Sequence, residues 1–181
     1  MAKQFSNLND EHRQFIEAQH IFFVGTADKD GRVNVSPKGM DSLRICADNR
    51  IIWLNYTGSG NETAAHLLGV NRMTLMFCSF EKKPLILRVY GKGQAIYRKD
   101  RKWAEYADQF PESSGSRQFF DVDIDLVQTS CGFGVPFFEY TGERHTLEKW
   151  ADKRGTEGIE AYWKEYNQKS LDGKDTGIFL G

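Results

Sequence analysis

From His20 to Ser130 the chain is written almost entirely in short apolar or alternating runs separated by turn residues, a pattern that antiparallel strands satisfy and helical repeats do not. The runs span 20–27, 32–36, 42–47, 50–56, 73–80, 85–98 and 118–130. The first two flank Lys29-Asp30-Gly31, and Asp-Gly is a strong hairpin signal because it tolerates positive φ. In the last run Phe120, Val122, Ile124 and Leu126 share the face expected in the core, and Asp121, Asp123 and Asp125 share the face expected in solvent. Gly91 and Gly93 interrupt the run 85–98, where a bulge or sharp bend of the kind that closes barrels is the usual reason for glycine. Helical stretches are fewer, at 8–19, 60–70, 100–109 and a pair near 144–153 and 155–168. These features predict a mainly β antiparallel barrel with flanking helices. It is one domain over residues 1–181, with an N-terminal helix and a C-terminal helical segment at about 144–168.

A chain of 181 residues can bury a core without disulfide or metal staples, and an aromatic content of 13% can fill it with little help from leucine. Lys and Arg number 24 against 25 Asp and Glu, so there is no basic field to hold nucleic acid or an anionic membrane. Cys46, Cys78 and Cys131 are far apart and form no C-x-x-C pair, which suggests neither a disulfide framework nor a zinc site. The opening residues lack the apolar stretch of a signal peptide, and no apolar run approaches the roughly 20 residues of a membrane helix. A soluble, cytoplasmic protein is expected.

Some candidate chemistry is quickly set aside. The aspartates from Asp121 do not open a calcium loop, because Leu126 stands at the sixth position and Gly132 at the twelfth. The four histidines are scattered, and no metal site is expected. Cys131 reads, from its neighbours alone, as a small buried hydrophobe. Two stretches say more. After a strand ending at Tyr56-Thr57 comes a Gly-Ser-Gly turn, and Ser59 with Glu62 makes a capping-box pattern ahead of a helix. Such a helix start can seat a phosphate, or it can be no more than a well-capped helix. In the stretch 31–42, Asn34, Ser36 and Lys38 point to one face, while Pro37 ends the donor ladder; edge-strand polarity would explain this equally well. Together the two stretches could hold the ends of a phosphorylated ring compound.

At these residues the chain resembles the pyridoxamine 5'-phosphate oxidase-related, FMN-binding split-barrel family. The resemblance rests on VNVSPKG at 33–39, WLNYTGSGNETAAHLLGVNRMTLMF at 53–77 and LRVYGKG at 87–93. SCGFGVP at 130–136 and NQKSLDG at 167–173 resemble an uncharacterised branch of it. What the resemblance implies is a homodimer of six-stranded antiparallel split β-barrels with one FMN at each of two sites across the subunit interface. The strand from Val33 through Asn34 and Val35 to Ser36 would run beside the isoalloxazine, with Lys38 near the flavin and Tyr56 and Thr57 beside the ribityl phosphate. Asn61, Glu62 and Thr63 fall where the oxidases carry a Ser-Arg-Lys run on the phosphate. The loop from Cys131, Gly132 and Phe133 to Val135 would close over the ring of the other subunit.

With Glu62 and Thr63 in place of two cations, the resemblance leaves phosphate neutralisation to Lys38, the helix amides, Asn61, and Arg88 or an arginine of the partner chain. Ile86 stands where the oxidases have a flavin-contacting Gln, and their Arg-rich C-terminal segment is not recognisable in KDTGIFLG, so vitamin B6 oxidation is not expected. The implied function is an FMN-dependent oxidoreductase acting on an unknown small-molecule substrate or electron donor. The alternatives are a noncatalytic module that sequesters FMN, haem or another planar ligand, and a deazaflavin-dependent reductase. No residue stands out as catalytic.

Overall fold

The computed structural model describes residues 2–179, and all seven runs are strands in it. The elements follow in the order β1 (Lys3–Phe5), α1 (Asp10–Glu17), β2 (Phe22–Thr26), β3 (Asn34–Lys38), β4 (Leu43–Ala47), β5 (Arg50–Tyr56), α2 (Glu62–Gly69), β6 (Met73–Cys78), β7 (Ile86–Tyr97), α3 (Lys102–Ala107), β8 (Ser116–Ser130) and α4 (Thr146–Tyr166). Met1, Leu180 and Gly181, which the boundary 1–181 takes in, lie outside the described residues.

The strands pair antiparallel in the order β3-β2-β6-β7-β8-β5-β4, with β1 added to β8. Eight strands therefore stand where the resemblance implies six, within the same mainly β, split-barrel architecture. The three-residue β1, which the sequence does not announce, has a physical reason. β5 pairs only with the Ser116 to Asp123 part of β8, and β1 takes up Val127 to Thr129, covering backbone groups that would otherwise form a bare edge. β2 and β3 form the expected hairpin, with Gly31 at φ +94° in its turn. Between β7 and β8 the register shifts at Tyr90/Gly91, so the bulge expected there is present. A Cβ on Gly91 would lie 2.1 Å from the Asp123 carbonyl oxygen, which is why this position carries glycine.

Inward side chains from every side of the barrel meet in one cluster, including Val24, Leu75, Leu87, Val89, Phe120 and Val122, with Trp53 stacked on Phe120 at 4.7 Å. β5 is buried on both faces, because Ile52 and Leu54 pack outward against Tyr106, Phe110 and Phe119 beneath α3. α3 also corrects the reading of the aspartates. Asp123 and Asp125 are exposed, but Asp121 is buried and accepts two hydrogen bonds from Arg50, both at 2.7 Å, and one from the Tyr106 hydroxyl at 2.6 Å. Burial opposes the Asp121 charge, yet the hydrogen bonds from Arg50 and Tyr106 outweigh it and hold the carboxyl below the usual range. The expected C-terminal helical pair is present: α4 breaks at Gly155 (φ 64°) into two helical stretches, and its Ala151, Ile159 and Trp163 make a third cluster with Ile178. No helix among the described residues is long and apolar enough to cross a membrane.

Gly91→Ala is expected to lose about 1–3 kcal/mol in a urea melt through overpacking against the β8 backbone. Gly25→Ala, whose added methyl would find its nearest neighbours 3.9 Å away, is expected to stay within about 0.5 kcal/mol of wild type.

Candidate functional site

Among the described residues no ladder joins β3 to β4 or β5, and along this split side lies a cleft of about 660 Å³ floored by the start of α2. The three side chains expected on one face of β3, those of Asn34, Ser36 and Lys38, all line it, as does Val33 just before the strand. Val35, between them, does not line the cleft, and its side chain is exposed, as the period of two requires. Tyr56 contributes from β5, and Asn61, Glu62 and Thr63 from the head of α2. Two contacts bridge the split: Lys38 Nζ donates to Asn55 Oδ1 at 3.2 Å, and Asn34 Nδ2 donates to Thr63 Oγ1 at 3.4 Å. Lys38 also sits 5.0 Å from the centroid of the Trp53 ring. Burial, reinforced by the charge of Arg117, lowers its pKa from 10.5 to about 8.

The expected capping box does not form. Asn61 is the N-cap residue, its Oδ1 accepts from Gln118 Nε2 at 2.7 Å, and no side chain caps the first turn. Glu62 instead accepts the backbone N–H of Leu171, at 3.0 and 3.1 Å to its two oxygens. The sequence pattern was present, but a C-terminal segment more than a hundred positions away competes for the carboxylate. Thr57 is also not in the cleft: its hydroxyl donates to Gly115 O and accepts from Trp163 Nε1, at 2.8 and 2.9 Å, so it fastens α4 to the barrel.

Sequence reasoning missed several cleft residues, among them Asn55 and Lys169 to Leu171, and the one that matters most is Arg117. It falls between the polar stretch PESSGS at 111–116, which reads as a loop, and the strand expected from 118. In the structure the β5–β8 register passes from Asn55↔Gln118 to Tyr56↔Ser116, which leaves Arg117 as the extra residue of a bulge. Bulges re-aim side chains in this way. Arg117 is 3% exposed, and burial lowers its pKa from 12.5 to about 10. Its Nη1 donates to Gly60 O at 2.9 Å and to Asn167 Oδ1 at 2.8 Å. Its Nε has no partner among the described residues, and neither does Asn61 Nδ2, next to the Gly60 that Arg117 binds and in the same cleft. An uncapped helix start, a buried cation and two unspent donors together suit an anion.

The remaining candidates lie elsewhere in the protomer. Arg88, on β7 opposite Met76 and Gln128, donates to Ser130 Oγ at 3.2 Å and does not reach the cleft. Cys131, Gly132 and Phe133 follow the end of β8 and do not line the cleft either. Cys131 is exposed rather than buried, because the ladder that would have covered it stops at Ser130.

A family model described as pyridoxamine 5'-phosphate oxidase matches residues 8–131, more than half the chain. A protein of Aspergillus flavus named pyridoxamine 5'-phosphate oxidase family protein ustO is 35% identical over 202 residues, covering 97% of this chain and 81% of that protein. Among solved structures, a variant of HupZ from Group A Streptococcus superposes with a TM-score of 0.55 at 18% identity, covering 68% of this chain and 99% of its own. A putative pyridoxamine 5'-phosphate oxidase from Lactobacillus delbrueckii gives 0.56 at 17% identity, covering 68% and 94%. At those identities the two structures share the fold.

The lowered pKa of Lys38 has a measurable sign. Between pH 8 and pH 10.5 the unfolded chain binds this proton more than the folded one does, so the contribution of Lys38 to stability is lowest below about pH 8 and recovers as pH rises to 10.5. Lys38→Met is therefore expected to be more stable than wild type at pH 7, with the difference shrinking across that window. A pH-independent difference in denaturation midpoint would contradict the burial of the charge.

Proposed function

The chain belongs to the pyridoxamine 5'-phosphate oxidase family, and on that footing we propose that its cleft binds FMN and that the protein works as an FMN-dependent oxidoreductase. The observation that carries this reading is the buried Arg117 guanidinium, with its Nε and the neighbouring Asn61 Nδ2 unpartnered among the described residues at the uncapped start of α2. These donors fit a phosphate and supply the positive charge that Glu62 and Thr63 do not. Thr63 is committed to Asn34, and Glu62 to Leu171.

Arg117, Asn61 and the α2 amides hold the phosphate, while β3 offers Asn34, Ser36 and Lys38 along the rest of the ligand. Lys38, at the opposite end of β3 from Asn34, keeps a proton on Nζ at neutral pH and can release it at little cost, since its pKa is about 8. Bound FMN supplies hydride or single-electron transfer, and the protein supplies position and a sheltered pocket. Of the side chains that commonly ligate haem iron, the cleft lining carries Tyr56 and Tyr166 but no His, Cys or Met among the described residues. Val33, Val35, Phe133, Phe137 and Phe138 are large apolar side chains left exposed, and a second copy of the chain would cover them. In that homodimer the 131–135 loop of one subunit closes over the ring bound by the other. The substrate is a small molecule other than a vitamin B6 phosphate.

Fluorescence titration of the apoprotein with FMN and with riboflavin tests the phosphate seat. Arg117→Met is expected to weaken FMN about ten- to hundredfold more than riboflavin, the range for a lost charged hydrogen bond, since any loss from the disturbed cleft wall is common to both ligands. Asn61→Ala should act in the same direction with a smaller loss. Equal losses for both ligands, or none for FMN, would move the phosphate away from Arg117.

A further inference from the structure

Glu62 stands where a phosphate-binding cation is expected, yet its carboxylate anchors the segment that follows α4. That tail is tied down along its length. Asn167 accepts from Arg117 and donates to Gly58 O at 3.1 Å, and the Thr176 hydroxyl donates to Asn167 O at 2.7 Å. Asp172 pairs with Arg32 and also accepts its backbone N–H at 2.7 Å. Lys174 pairs with Asp28 and with Asp30. The tail thus bridges the β2–β3 turn and the start of α2, and Lys169, Ser170 and Leu171 form part of the cleft wall beside Asn61 and Glu62.

A phosphate held by Arg117 and Asn61 therefore has the tail immediately beyond it, through Asn167 on Arg117 and Leu171 on Glu62. Charge acts in the same sense as bulk. The cations on this side are already matched, Arg32 with Asp172, Lys174 with Asp28 and Asp30, and Lys169 with Asp175 at 3.0 Å. A second phosphate would approach the Glu62 carboxylate, with Arg32, Lys169 and Lys174 already engaged by carboxylates of their own. We infer that residues 167–174 set the ligand class of the cleft: they admit a flavin that ends in a phosphomonoester and reject one that continues through a diphosphate into a second nucleoside. The inference rests on the flavin reading of the cleft. Glu62, Asp172 and Lys174 are positioning residues in it, acting through the tail they hold.

Titrating the full-length apoprotein with FMN and FAD, followed by flavin fluorescence, tests this. Wild type is expected to bind FMN at least about tenfold more tightly than FAD. The double variant Asp172→Ala/Lys174→Ala releases the tail without altering the phosphate seat, and should narrow that ratio by strengthening FAD, with FMN affinity held within about threefold. Hydrogen exchange at the Leu171 amide reports the release independently. Leu171→Gly keeps every ion pair, removes a wall side chain and should shift FAD in the same direction, which serves if the double variant does not fold. Equal affinity of wild type for FMN and FAD overturns the inference and leaves the flavin reading standing, as does an unchanged ratio in a double variant whose Leu171 amide exchanges freely. A wild type that binds neither flavin overturns both.

Discussion

A guanidinium cannot be taken out of water without partners, and much of this molecule is arranged around giving Arg117 its own. The bulge that turns Arg117 out of the β5–β8 ladder aims it at Gly60 O on one side and Asn167 Oδ1 on the other. Those two bonds fix the start of α2 and the end of α4 relative to the barrel in one place. Asn167 in turn holds Gly58 O and receives Thr176, and Trp163, one turn earlier in α4, holds Thr57. The split between β3 and β5 acquires a floor and a far wall because of this junction. Without it the same strands would still make a barrel, but with an unfurnished edge.

The cleft is also where the fold departs from what stability alone would choose. Lys38 is buried far enough to lose much of its basicity, and among the described residues Arg117 Nε, Asn61 Nδ2 and, on the Gln118 that binds Asn61, Oε1 are buried without partners. Elsewhere the buried charges are well matched, as with Asp121 between Arg50 and Tyr106. Among the described residues two other buried side-chain atoms, Ser42 Oγ and Trp53 Nε1, also lack partners, but only here do several unsatisfied polar groups gather around a buried cation, which marks a place preorganised for something that arrives later.

Most strands were legible in the sequence because they bury one face against the barrel and alternation follows from that, while β5, buried on both faces, showed as a continuous apolar run. All seven runs became strands, and the Asp-Gly turn and the Gly91 bulge fell where local chemistry asked for them. The β3 face was legible for the same reason: Asn34, Ser36 and Lys38 line the cleft together. What could not be read was set by distant chain. β1 exists because β8 outruns β5, Asp121 is buried because α3 folds over it, and Glu62 abandons its cap because Leu171 reaches it. Arg117 gave no local signal, since a cation at the end of a polar loop looks like solvent-facing surface. Only the register of β8 against β5 turns it inward.

The central claim is that Arg117, at the bulge, is the cation that seats a ligand phosphate. A crystal structure of the protein soaked or co-crystallised with FMN tests it most directly. The account predicts the phosphate within hydrogen-bonding distance of Arg117 Nε and Asn61 Nδ2, against the first turn of α2. A phosphate held instead at Arg88, or a flavin bound outside the β3–β5 cleft, would contradict it.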